Sequence, residues 1–165
     1  MRGLEFAERV FASIRDTKQA LVTDLQAQLR FETHLLELYD DLPQRLADWD
    51  IRYMVFNDHL PHDRLDEGKL PRRLNGQALK ARRSPEKHHA YMKELHALGP
   101  EVPAALDALC PRLAAAGICM GSHDDATAET RALWRARGVH VAEFPETLEA
   151  AEAAHDAGDP VLMGA

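Results

Sequence analysis

The sequence predicts an α/β fold of parallel β/α units, and three observations carry that reading. Gly117, Gly138 and Gly158 each close a helical pattern and open a strand-like one, and glycine suits the left-handed residue that ends a helix. Strands at Ile118–Ser122, Val139–Phe144 and Pro160–Met163 alternate with helices at Ala128–Arg137 and Thr147–Ala157. Strand, helix, glycine and strand in quick succession describe parallel crossovers rather than hairpins. Finally, three apolar stretches end on chemistry-bearing residues: Leu25–Phe31 on Glu32, Tyr53–Asn57 on Asp58-His59, and Gly117–Met120 on Gly121-Ser122-His123-Asp124-Asp125-Ala126.

The elements follow in order. Leu4, Ala7, Val10, Phe11, Ile14 and Leu21 recur at helical spacing and predict an amphipathic helix over residues 4–21. From Leu25 to Glu32 apolar and polar residues alternate. In a sheet backed by helices, Leu25, Ala27, Leu29 and Phe31 would face the helices, and Glu32 would face the other side. Residues 34–49 read as helical with a break at Pro43, and Ile51–Asn57 as a buried strand. From His59 to Ser84 no period is visible, and the stretch reads as a long basic loop. Ser84-Pro85 opens a helix, serine as N-cap and proline at the first helical position, running to about Leu98. Another helix follows over 102–116. His88 and His89 read as surface residues, and Trp49 and Trp134 as packing residues.

With 165 residues and 45% apolar content, the chain fits one domain with a substantial core. A net charge of -7 argues against a general nucleic-acid binder. Cys110 and Cys119 lack metal-type spacing and are too few for a disulfide framework, which fits a reducing cytoplasm. No apolar stretch spans a bilayer and no secretory pattern opens the chain.

The chemistry sits at the strand ends. A catalytic metal needs about three protein ligands and an open position, and Glu32, His59 and His123 stand at three such ends. Asp58, Asp124 and Asp125 neighbour the histidines, where a carboxylate can fix a ligand's tautomer. Asp125 shares strand parity with His123, so ligation or a base role is open to it; Asp124 or Asp125 reads equally well as the N-cap of the helix near Ala128. Glu143 ends a strand beside Phe144-Pro145, where a site residue and a structural turn are both open readings. Arg72, Arg73, Arg82 and Arg83 lie in the basic loop and could hold an anionic group or simply meet solvent.

Several segments together resemble the α-D-ribose 1-methylphosphonate 5-triphosphate diphosphatases, which belong to the carbon–phosphorus lyase pathway and the amidohydrolase superfamily. These are Ser122-His123-Asp124-Asp125-Ala126-Thr127, Ala142 to Ala151 with its Glu-Phe-Pro-x-Thr core, and Val161-Leu162-Met163-Gly164-Ala165. Leu29-Arg30-Phe31-Glu32 and Asn57-Asp58-His59-Leu60-Pro61 match two further segments. The resemblance covers essentially the whole chain. It implies a (β/α)8 metal-dependent hydrolase barrel, of which this chain supplies about five units, the third to the seventh. It implies Glu32 as carboxylate ligand and His59 and His123 as histidine ligands of a divalent metal, zinc first, with manganese or iron as alternatives. The implied reaction turns the triphosphate of a small phosphorylated sugar into a 5-phosphate and diphosphate. The family's His-x-Asp motif on its first strand and its last-strand aspartate have no counterpart here, so the isolated chain is expected to lack competent catalysis. A sheet with two open edges is expected to self-associate or to recruit missing barrel segments. Another amidohydrolase, a deaminase or amide hydrolase, and an inactive structural half-barrel are the rival readings.

Overall fold

The computed structural model of the chain describes residues 4–164. Its centre is a five-stranded, all-parallel sheet in sequential order: β1 (Gln28–Glu32), β2 (Tyr53–Asn57), β3 (Cys119–His123), β4 (Val141–Glu143) and β5 (Val161–Leu162). In a parallel sheet of strictly sequential order, crossovers of the usual right-handed sense place the connecting helices on one face. The helices are α1 (Leu4–Thr17), α2 (Leu42–Asp48), α3 (His62–Asp66), α4 (Leu74–Lys80), α5 (Pro85–Ala97), α6 (Val102–Ala115), α7 (Ala128–Ala136) and α8 (Leu148–Asp156).

The two faces of the sheet differ as strand alternation requires. Phe31, Met54, Phe56 and Met120 join Phe11, Leu42, Leu46, Leu106, Leu109 and Leu113 in one apolar core on the helix side. Trp49 stacks on Phe11 at 5.0 Å and Trp134 on Phe56 at 5.2 Å, sealing that core as expected of them. Gln28, Arg30, Glu32, Tyr53, His123 and Glu143 occupy the alternate positions, so the polar set shares the opposite face. Gln28 on β1 donates to Glu143 on β4 at 2.6 Å. Three strand steps in a flat sheet would separate these backbones by about 14 Å, more than the two side chains span. The polar face is therefore concave.

The β/α units of the C-terminal third are as the glycines predict: Gly117, Gly138 and Gly158 have φ of 72°, 79° and 75°. Ser84 caps α5, its hydroxyl accepting from Lys87 N–H at 3.3 Å. Other stretches depart from expectation. The alternating segment pairs as a strand only from Gln28. Residues 34–49 hold a 3-10 turn at Leu36–Leu38 and then α2, with Pro43 in its first turn rather than breaking it. The expected basic loop contains α3 and α4, which fold because Leu65 and Leu74 pack on Met92 and Leu95 of α5. His88 is buried, not on the surface, because it shares the inward face of α5 with Met92 and Leu95. Ala165, which ends a segment carrying the resemblance, lies outside the described residues. Both cysteines are free thiols. Among the described residues no helix is long and apolar enough to cross a membrane.

Candidate metal centre

In a parallel sheet all strand C-termini share one edge, so residues remote in sequence meet there. Glu32 ends β1, His123 ends β3, and His59 stands just past β2. The structure brings all three together. His59 Nδ1 lies 2.7 Å from Glu32 Oε1, and the His59 N–H donates to Glu32 Oε2 at 3.2 Å. The His59 and His123 rings meet edge to face at 5.9 Å.

Asp124 completes the group. It has φ of 59°, a left-handed conformation that aspartate tolerates better than most residues. The turn brings its Oδ1 within 2.8 Å of His123 Nδ1 and its Oδ2 within 4.0 Å of His59 Nε2. One ligand atom each from His59, His123 and Asp124 can be chosen so that all three lie within 4.8 Å of one another. The resemblance implies Glu32 as the third ligand; in the structure Asp124 reaches towards both histidines, while Glu32 meets His59 on Nδ1. That contact holds the His59 imidazole above the usual histidine range, against the opposing effect of burial.

The donor set suits a cation. His123 Nδ1 is buried and makes no hydrogen bond, because the nearby Asp124 oxygen is out of line for one. Nδ1 and the carboxylate oxygen therefore stand 2.8 Å apart without a proton shared between them, a spacing at which a cation could take both as ligands. Two imidazoles and a carboxylate form the ligand set that zinc, iron and manganese accept.

Beside this cluster Glu143 gathers the rest of the concave face. It pairs with Arg30, accepts from Gln28, and accepts from the Tyr53 hydroxyl at 3.3 Å, while His123 Nε2 stands 3.9 Å from its Oε1. Burial, reinforced by the Glu143 charge, pushes the Tyr53 phenol far above its ordinary range, so it remains a donor. Gly121 makes this crossing possible: a Cβ there would lie 3.2 Å from the Tyr53 hydroxyl and 3.1 Å from the Val141 carbonyl. Of the two readings of Glu143, the side chain faces the site, while Phe144 supplies the structural turn with φ of 53° and sets its ring 5.5 Å from His123.

The remaining predicted residues go elsewhere. Asp125 is buried on the helix side, accepting from Ser122 and paired with Arg131 at 2.9 Å, so its carboxylate does not join the cluster. Neither aspartate caps α7; Thr127 does, accepting from Thr130 N–H at 3.1 Å. Asp58 turns away from His59 towards His62, at 2.9 Å. The four arginines do not converge. Arg72 and Arg73 are exposed before α4, and Arg82 borders a small cleft with Arg9 and Lys80. Arg83 lies over the Tyr91 ring at 4.2 Å and lines an apolar groove of about 570 Å³ that also reaches Arg30 and Glu32. Sequence reasoning missed Arg30 and Tyr53, although strand parity with Glu32 and His123 marks both for the same face.

No family model, curated protein or solved structure matches the chain.

Proposed function

We propose that this chain carries the metal centre of a hydrolase acting on phosphoanhydride bonds. The observation that supports it best is the meeting of His59, His123 and Asp124 at two neighbouring strand ends, with Glu32 of a third strand behind His59 and one histidine nitrogen left without a hydrogen bond. The resemblance supplies the substrate class, the 5-triphosphate of a ribose 1-methylphosphonate, cleaved to the 5-phosphate and diphosphate. In this reading the five parallel strands are a section of a (β/α)8 barrel, and β1 and β5 are the edges where further strands or a second copy add.

Each side chain then has a task. His59 through Nε2, His123 through Nδ1 and the Asp124 carboxylate hold a divalent ion, zinc before manganese or iron. When bound, such an ion lowers the pKa of water and neutralises charge on phosphoryl oxygens. Glu32 accepts the Nδ1 proton of His59 and so presents Nε2 as a lone pair. Glu143 stands 3.9 Å from Nε2 of His123 and places a negative charge on that side of the ring. Arg30, half exposed on the concave face, offers guanidinium donors to phosphoryl oxygens, and Arg83 lines the groove leading to it.

The test is diphosphate release from a sugar 5-triphosphate by zinc-loaded protein. Release by the native chain, which lacks counterparts of the family's first-strand and last-strand ligands, is expected to be slow at most and should fall to background in His123→Ala. If loaded protein releases no diphosphate but cleaves members of an amide or aminopurine panel, the phosphoanhydride reading fails in favour of another amidohydrolase chemistry.

A further inference from the structure

One residue before His59, the Asp58 carboxylate faces the other way, into a second group of titratable side chains. His62 Nε2 lies 3.0 and 2.9 Å from the two Asp58 oxygens, and His34 Nδ1 lies 3.7 Å from Oδ1. Ligand atoms of His34, Asp58 and His62 all fall within 4.8 Å of one another. On its far side His62 Nδ1 meets His96 Nδ1 at 2.8 Å, and His96 Nε2 meets Asp66 Oδ1 at 2.9 Å. The imidazoles of His34, His62 and His96 pack in series, with ring centres 5.1 and 5.0 Å apart.

Counting donors along this train exposes a deficit. An ionised Asp66 only accepts, so His96 carries its proton on Nε2 and accepts at Nδ1. With both rings neutral, His62 then donates from Nδ1, which leaves its Nε2 as a lone pair aimed at a carboxylate 2.9 Å away. Two acceptors so placed repel. Asp58 is held in this pose by the Leu60 N–H, which donates to its Oδ1 at 3.1 Å. His34 is almost wholly buried, so its nitrogen cannot turn to solvent; its neighbour Thr33 Oγ1, at 3.3 Å, is a rotor that can give way.

We propose that Asp58, His62 and His34 form a binding site for a divalent transition cation of the zinc type, with His96 and Asp66 fixing His62 in the tautomer that binds it. Ligands of a tetrahedral zinc lie about 3.3 Å apart, and the Asp58 contacts of 2.9 to 3.7 Å bracket that value. Two imidazoles with one carboxylate favour zinc, iron or manganese over magnesium or calcium, which prefer oxygen. The Asp58 and His62 side chains are 41% and 35% exposed, leaving a path for the ion and room for water as a further ligand. This site shares no ligand with the His59, His123 and Asp124 cluster and stands independently of the hydrolase reading.

The test is zinc stoichiometry of the purified chain after equilibrium dialysis, read by plasma mass spectrometry. The expected values are two ions per native chain, one in His62→Ala, one in His123→Ala and none in the double variant. Asp66→Ala changes an exposed residue and should weaken the second ion about 10-fold or more while the fold, read by circular dichroism, is unchanged. Equal zinc in native protein, His62→Ala and Asp66→Ala overturns the second site and means that a proton, not a metal, fills the gap. An unchanged count in His123→Ala overturns the first centre instead, so the two failures are told apart.

Discussion

Residues Ser122 to Asp125 split between two environments, and the contrast separates what holds the fold from what is poised for chemistry. Ser122 and Asp125 face the helices, where Arg131 donates to both and also reaches the Val139 carbonyl at 3.1 Å and Asp159 at 3.1 Å. Asp159 is engaged further by Arg135 and by His140. The carboxylates of this network are buried and richly supplied with donors. His123 and Asp124, interleaved with that pair, face the concave side and leave a buried nitrogen unbonded. Buried carboxylates richly supplied with donors specify a fold; on the concave side two imidazoles and a carboxylate converge instead, a group able to hold a cation.

The largest effect should come from the helix side. Arg131→Met strands Asp125 and removes one of the partners of Asp159, and breaking a buried pair on one side costs about 3–5 kcal/mol. Urea denaturation should show that loss while zinc uptake by the folded fraction persists; lost zinc with unchanged stability would mean that the two networks are one. A smaller effect for either site alone should come from the concave side. His123→Ala combined with His62→Ala should hardly alter metal-free stability. Zinc at about 100 times its dissociation constant should stabilise the native chain by ~2.7 kcal/mol per site and the double variant by nothing. Thermal unfolding with and without chelator reads the difference.

The smallest effect is in acid. Burial raises the Asp159 carboxyl, but hydrogen bonds from Arg135, Arg131 and His140 outweigh it and hold the group below its ordinary 3.8. A folded value below the unfolded one means that the stabilisation is complete above about pH 3.8 and is lost as pH falls through the folded value. Denaturation midpoints below pH 4 should therefore fall more steeply in native protein than in Asp159→Asn. Parallel slopes would show that the network does not set acid stability.

Strand-end position made Glu32, His59 and His123 legible, because parallel strands deliver their last residues to one edge regardless of what lies between. The approach of Asp124 to both histidines is not legible, since it depends on one left-handed residue, and aspartate at that position reads equally well as a helix cap. Nor were His34, His62 and His96: they come from a loop and two helices, and α3 and α4 have too few apolar residues to announce themselves. One pattern was available and misread. His88, Met92 and Leu95 stand at helical intervals on one face of α5, and two apolar partners mark the histidine as buried. The C-terminal units were the most readable because glycine at a left-handed helix end leaves few alternatives.

The left-handed backbone at Asp124 has a consequence for how this chain would respond to selection. Glycine relaxes such a conformation, and asparagine tolerates it at least as well as aspartate. Lineages selected for heat tolerance alone should drift at this position towards glycine and away from the carboxylate. Lineages that must also retain metal should keep aspartate and accept the strain. The residue found at position 124 in a collection of evolved variants would then report which pressure acted on them.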